Sequence, residues 1–360
     1  MVSVLFTLTL IFNIVIALKD KYSKEILIFT FVFLTLFIAG NNSNPDYLSY
    51  ANEYKLMMTS GNSYFNDYGF IFLEKFFIQL GFNFNLFRLI ITIVCLILIY
   101  KGITYYKINI HYIISLYMLY QLIMDTIQFR NFIGMAIVIY SLHFIIERNK
   151  NDLLRFFICI IIATTIHSSM CVFIILPLSN FLLKKSKYIK YISFVILILC
   201  ILCFFQSNII EIFDYVLKCI NKEYLIQYYA SGSGKSYAFI LPLLSFLGYY
   251  IIYAICRRNK DIKNNEEFTL IKHMFIINII SMFFMPLVIT SAAWYRIIRN
   301  LNILNYIFSY KCIKFVDNKM TKNFLVISSY SIVFLWSIIE LILWIGIDKV
   351  IIMFQNNIFL

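Results

Sequence analysis

The sequence predicts an all-α, polytopic membrane protein, a transmembrane helical bundle of about twelve spans, and three observations carry that prediction. Of 360 residues, 62% are hydrophobic and 14% are charged, against roughly 45–50% and 25% in soluble domains. Apolar runs of about 17 to 20 residues, the length one helix needs to cross a bilayer, recur from residue 2 to residue 347. Segments such as Val195–Phe205 are apolar on every face, which excludes the period-2 alternation of an outer-membrane barrel. A water-soluble fold is excluded by the same observations. The Ile, Phe, Tyr, Asn and Lys bias, with 4 Pro in all, is that of an AT-rich bacterial genome.

In order, the runs fall near 2–18, 25–40, 82–100, 110–126, 129–146, 152–166, 168–183, 189–206, 237–256, 269–289, 293–310 and 324–345. The first lacks both a basic start and a small-residue cleavage site, so it reads as a retained helix and not a signal peptide. Orientation follows from Lys and Arg, which stay preferentially on the cytoplasmic side. Alternate loops hold Lys19, Lys21 and Lys24; Lys101 and Lys107; Arg148, Lys150 and Arg155; Lys184, Lys185, Lys187 and Lys190; Arg257, Arg258, Lys260, Lys263 and Lys272; and Lys311, Lys314, Lys319 and Lys322. The formal net charge of +13 therefore sits on one face. Positive-inside sorting and contact with anionic membrane lipids account for it without a nucleic acid partner. Both termini are then exoplasmic, in a bacterial cytoplasmic membrane.

One stretch resists this scheme. Tyr68–Leu80 is apolar but short, and it contains Glu74 and Lys75. A span there would invert every later loop, so the reading is an interfacial or re-entrant amphipathic helix. No repeat and no linker divides the chain, which reads as a single membrane domain over residues 1–360, with exoplasmic loops near 41–67 and 207–236 opening on an exoplasmic-facing cavity. Seven of 8 Cys lie within apolar runs or at their inner ends, so no disulfide framework follows. Cys200 and Cys203 read as a packed, reduced pair, and Cys219 falls in the second outer loop.

The polar residues left outside point to chemistry. In the first loop Asn44-Pro45 signals a helix start, after which Asp46, Tyr50, Glu53 and Tyr54 share a face at i, i+4, i+7 and i+8. Carboxylates accept sugar hydroxyls and aromatic faces cover the apolar side of a pyranose; the alternative is a Tyr-rich interfacial belt with capping acids. Four arginines stand where sorting by charge should have removed them. Arg88 lies within the third run, Arg130 opens the fifth, and Arg296 and Arg299 open the eleventh at i, i+3. An Arg at a helix centre costs about 2.5–3.5 kcal/mol on insertion scales, which makes it a candidate ligand-binding or internally paired group. The guanidinium fork matches phosphate oxygens, so a phosphate-bearing lipid head group is the natural ligand. The alternatives are snorkelling, for Arg88, and pairing with Asp125 or Glu340. His167, in TTIHSSM at the outer end of a helical hairpin, can exchange a proton near pH 7 or serve as a satisfied turn residue. No His spacing suggests a metal, and no cofactor motif is present: SGSGKS at Ser231–Ser236 has Tyr229 where a phosphate loop needs its first Gly, with no strand before it.

Together, Asp46-Tyr47, then Asp67-Tyr68-Gly69-Phe70 leading into an amphipathic helix, Gln128-Phe129-Arg130-Asn131, His167-Ser168-Ser169 and Arg296-Ile297-Ile298-Arg299-Asn300 resemble, in order and placement, the EpsG family of Wzy-like polysaccharide polymerases. The family often has Glu where Asp67 stands and Arg-Gln where Arg130-Asn131 stands. The resemblance implies a glycosyltransferase that joins undecaprenyl-pyrophosphate-linked oligosaccharide repeat units on the outer face of the membrane, for capsule, exopolysaccharide or O-antigen; a separate chain-length regulator stays an open partner. Under it, Arg130, Arg296 and Arg299 would meet the charge that grows on the leaving pyrophosphate. Asp46, Glu53, Asp67 or His167 would take the hydroxyl proton, with Asp46 and His167 favoured. Tyr47, Tyr50, Glu53, Asp67, Gln128, Arg296 and Arg88 would bind substrate. A lipid-linked oligosaccharide flippase is the alternative from another class, distinguished by inverted repeats and mid-bilayer ionisable residues. A polyprenyl-phosphate-dependent glycosyltransferase is a third, distinguished by paired acids early in the first loop.

Overall fold

Asparagine, abundant in the composition, starts several of the helices. The side chains of Asn83, Asn109, Asn265 and Asn318 each accept from backbone amides of the first turn that follows them, which satisfies donors a helix leaves orphaned at its start. A computed structural model describes residues 1–147, 151–185, 191–195, 198, 236–258, 265–285, 288 and 294–360. Among these, the regular secondary structure is all helical. Most of the expected eighth run, nearly all of the loop 207–236 with SGSGKS, and Cys200, Cys203 and Cys219 lie outside the described residues.

The chain forms two compact units, Met1–Ile174 with Val326–Leu360, and Ile175–Leu325. In the first, α1 (Val2–Leu18) and α2 (Lys24–Gly40) form a hairpin, held at mid-length by Asn13 donating to the Thr30 hydroxyl at 2.9 Å. The segment after α2 contains α3 (Tyr47–Ser60) and α4 (Tyr68–Gln79), and α5 (Phe84–Thr104) follows. Next comes one long helix in three parts: α6 (Ile110–Leu116), a π turn over Tyr117–Gln121, and α7 (Leu122–Ile127). A break at Gln128 separates it from α8 (Phe129–Glu147), which pairs with α9 (Asp152–Ile166).

Five described helices are long and apolar enough to cross a membrane: Phe84–Thr104, Ile110–Ile127, Phe129–Ile146, Glu266–Phe284 and Lys319–Ile342. Val2–Leu18, Ser168–Lys184 and Pro242–Arg257 are apolar but shorter. Tyr68–Gln79 is helical, as expected, and at 12 residues is too short to be a span.

Two buried acids of the long helices are consumed internally. Asp125 accepts from the Tyr117 hydroxyl and the Gln121 amide, both at 2.9 Å, across the π turn. Glu340 accepts from the Tyr120 hydroxyl, from a second π segment, Ile338–Gly346, near the chain end. A wider π turn re-aims side chains in a way a regular helix cannot.

α5 and α8 approach closely at Gly102. A Cβ built there would lie 2.9 Å from the Ile139 carbonyl oxygen and 3.2 Å from the Tyr140 Cα. These are backbone atoms, so no rotamer change relieves the contact. Gly102→Ala is expected to destabilise the protein by about 1–3 kcal/mol through overpacking, less about 1 kcal/mol regained in helix propensity, read as a lower melting temperature of the detergent-solubilised protein.

The second unit contains α10 (Leu178–Lys184), α11 (Ser236–Arg257), α12 (Glu266–Ser281), α13 (Tyr295–Arg299) and α14 (Asn302–Phe315). α15 (Lys319–Ser337) then returns the chain to the first unit, which α16 (Ile347–Gln355) completes. Tyr253 stacks on Phe275 at 4.1 Å, and the Asn278 amide donates to Asn305 at 2.8 Å. The eleventh run was expected to be continuous and is not. Leu301, at φ −95° and ψ 4°, bonds back three residues to the Ile298 carbonyl, and this tightened turn separates α13 from α14.

Candidate functional site

The first loop folds as the sequence suggested but presents a different face. α3 begins after Asp46, and Tyr50, Glu53, Tyr54 and Met57 share one side of it. That side is buried. The Glu53 carboxylate accepts from the Ser63 hydroxyl and from the Tyr64 amide at 3.0 Å, so it holds the loop that follows. The Tyr54 hydroxyl donates to the Phe82 carbonyl at 2.8 Å, and burial, then the charge of Glu74, push it up to about 12. The expected sugar-facing strip is therefore turned inward at Tyr50, Glu53 and Tyr54, because an amphipathic helix buries its aromatic side wherever a partner surface exists. Asp46 and Tyr47 stay partly exposed at its start. The Tyr47 hydroxyl donates to Asn85 at 3.0 Å.

Three segments far apart in sequence meet beside α3. Asp67 occupies the N-cap position of α4, yet its side chain makes no cap bond. Instead one oxygen pairs with Arg130 at 2.7 Å and the other accepts from the Ser168 amide at 3.3 Å. Arg130 stands in the first turn of α8 because the chain breaks at Gln128, which is partly exposed. Its guanidinium carbon lies 3.7 Å over the Phe65 ring and 5.8 Å from the rings of Tyr50 and Phe70, a cation–π arrangement. Burial pushes the Tyr50 hydroxyl up, against the pull of Arg130. His167 ends α9 in extended conformation, its amide bonded to Ala163. A glycine makes the junction possible: a Cβ on Gly69 would collide with the Thr165 side chain and lie 2.9 Å from its carbonyl carbon. The first turn of α4 can thus lie against the last turn of α9, which carries Asp67 to Ser168.

The pair remains partly open, with the Arg130 and Asp67 side chains 21% and 14% exposed. The charge of Arg130 thus has a carboxylate partner within the protein.

Arg88 is held inside the protein. It is 2% exposed and donates to the Asn41 carbonyl at 2.8 Å and the Ile38 carbonyl at 2.7 Å. Its charge is enclosed by the rings of Tyr47, Phe84 and Phe129 at 5.3–5.8 Å. A basic side chain on the last carbonyls of a helix satisfies acceptors the helix cannot and meets its negative pole. Arg88 thus ties α5 to the end of α2.

Sequence reasoning missed Phe65 and Glu74. Phe65 gave no periodic signal. Glu74 did: it falls at i+4 from Phe70 and three before Phe77, so these three residues form the buried face of α4. Glu74 is fully buried, and neither of its oxygens has a hydrogen-bond partner. Burial, then the charge of Glu53, push it up to about 8, against the pull of Arg130.

In the second unit, Arg296 and Arg299 lie in the five-residue α13 and differ in exposure. Arg299 is buried, as are Tyr295, Asn300 and Asn302, while Arg296 is partly exposed. Tyr295 underlies Arg299 at 6.0 Å.

No curated protein and no solved structure matches the chain. A family model does, that of the EpsG family, over residues 25–347, nearly the whole chain, and both described units fall largely within it. A multi-pass helical chain that matches this model from its second helix to the π segment near its end belongs to the EpsG family, a family of Wzy-like polymerases.

Proposed function

We propose that this protein polymerises a surface polysaccharide, joining undecaprenyl-pyrophosphate-linked oligosaccharide repeat units on the outer face of the bacterial cytoplasmic membrane, through a twelve-span bundle with both termini outside and a cavity open to the exterior. The observation that carries the reading is the meeting of Asp67, Arg130 and Ser168 from three distant segments, in a chain of a polymerase family. A hydroxyl of one lipid-linked unit attacks the anomeric carbon of another, and undecaprenyl pyrophosphate leaves. Arg296 and Arg299 meet the negative charge of that leaving group, since fixed donors in a dry site stabilise developing charge. Asp46, Tyr47 and Gln128, each partly exposed, supply hydrogen bonds to sugar, and His167 precedes the Ser168 whose amide donates to Asp67. A chain-length regulator would act on this machinery from outside the chain.

Deletion of the gene, followed by analysis of surface glycans, tests the reading. Long polymer is expected to vanish while single lipid-linked units persist on the outer leaflet. Units trapped on the inner leaflet would instead identify a flippase.

A further inference from the structure

The seam between α3, α4 and the start of α8 concentrates buried polar atoms that lack a partner: both Glu74 oxygens and Arg130 Nε, with Ser169 Oγ in the segment after His167. Roughly 90% or more of buried polar groups are satisfied, so such a cluster beside a partly open ion pair marks where a ligand's own polar groups complete the set. We propose that this seam binds the acceptor saccharide and that Glu74 takes the proton from its attacking hydroxyl. The proposal rests on the polymerase reading and concerns the acceptor alone.

Charge and shape select a neutral polyol over a pyrophosphate. The one guanidinium in the seam is already met by Asp67, Glu53 adds a second carboxylate, and Asp46 acts on Tyr50 from the start of α3. A dianion would be repelled. A pyranose would not, and the rings of Tyr50 and Phe70 beside Arg130 can cover its C–H side once Phe65 has moved aside.

Glu74 combines unclaimed oxygens with a raised proton affinity. Asp67 spends one oxygen on Arg130 and the other on Ser168, and Glu53 spends both on Ser63 and Tyr64. Burial among aromatic rings, then Glu53, place Glu74 at about 8, near the pH at which a general base must work. The groups that face it are Glu53 and Tyr54 from α3 and Arg130 from α8. α9, also packed on α4, brings His167 at the near end and carries Asp152 and Arg155 at the other. On α4 itself Lys75 points outward and Asp67 stands at the start.

The loop through Ser63, Tyr64 and Phe65 joins Glu53 to Phe70, and Gly61, at φ +71°, begins it. The acceptor enters by displacing this loop. As its oxygen bonds to the anomeric carbon, its proton passes to Glu74. The bond from that carbon to the pyrophosphate oxygen breaks, with the electron pair leaving on undecaprenyl pyrophosphate. Glu74 later returns the proton to water.

The test uses membranes of the deletion strain, which hold its own unpolymerised lipid-linked units, supplied with purified full-length protein from pH 6 to 9. The wild type is expected to make polymer at a rate that rises with pH and levels above about 8, because Glu74 must be deprotonated to accept the proton. Glu74→Gln, which keeps the shape of the neutral acid, is expected to lose about 10²–10⁴-fold in rate, together with the pH slope. Glu53→Gln is expected to move the wild-type midpoint down by removing the neighbouring charge. If the wild type itself makes no polymer, the polymerase reading fails. If the wild type works and E74Q matches it, or the slope follows a His167 variant instead, the assignment of Glu74 is wrong. Should E74Q fail to fold, a flat wild-type profile, or a midpoint that E53Q leaves in place, overturns it equally.

Discussion

Arg88→Ala is expected to destabilise the protein by about 2–5 kcal/mol, the cost of leaving two buried carbonyls without their donor. The Ile38 and Asn41 carbonyls would lose their buried donor. Three rings, Tyr47, Phe84 and Phe129, would face the gap left by the guanidinium. The measurement is thermal unfolding of the detergent-solubilised protein, together with its level in membranes. Arg88→Lys should recover only part of the loss, since one ammonium cannot reproduce a planar fork on two carbonyls. A variant that melts like the wild type but makes no polymer would return Arg88 to the ligand-binding role its sequence suggested. The consequence reaches the site: Arg88 fixes the end of α2, from which the chain runs straight to Asp46 and Tyr47.

The second large effect is expected at Arg299. Arg299→Ala should lower polymerisation by about 10²–10³-fold, the range for removing one preorganised donor from developing negative charge. It is checked by the glycan ladder of complemented deletion cells at matched protein levels. Polymer of normal length and amount would remove Arg299 from the mechanism. Because Arg299 is 1% exposed, the parallel control is Arg296→Ala, at the more exposed position, where loss of activity without loss of protein separates ligand contact from folding.

How much was legible in advance differs from residue to residue. Asp67, Arg130 and His167-Ser168 could be picked out because each breaks the apolar background of a run, and their order along the chain resembles a family. That Asp67 would reach across to Ser168 depended on the close approach of Gly69 to Thr165, which no spacing encodes. Arg88 was legible as an anomaly, but its partners are backbone carbonyls, and a carbonyl looks alike at every residue. Glu74 was dismissed with the short helix that contains it, although its place on the face of Phe70 and Phe77 was visible in the helical register. The break between α13 and α14 falls at Leu301, between Asn300 and Asn302, inside a run that hydropathy averaging reads as one segment.

Hydropathy and motif order are properties of neighbouring residues, so the chain alone determined that this is a multi-pass helical membrane protein, which loops carry the positive charge, and which family it resembles. Whether a given charge is spent inside the protein or kept for a ligand is a matter of distances between segments tens to hundreds of residues apart. Packing alone decided that Arg88 closes a helix end, that Arg130 leans on Asp67, and that Glu74 lies buried beside them with its oxygens unclaimed.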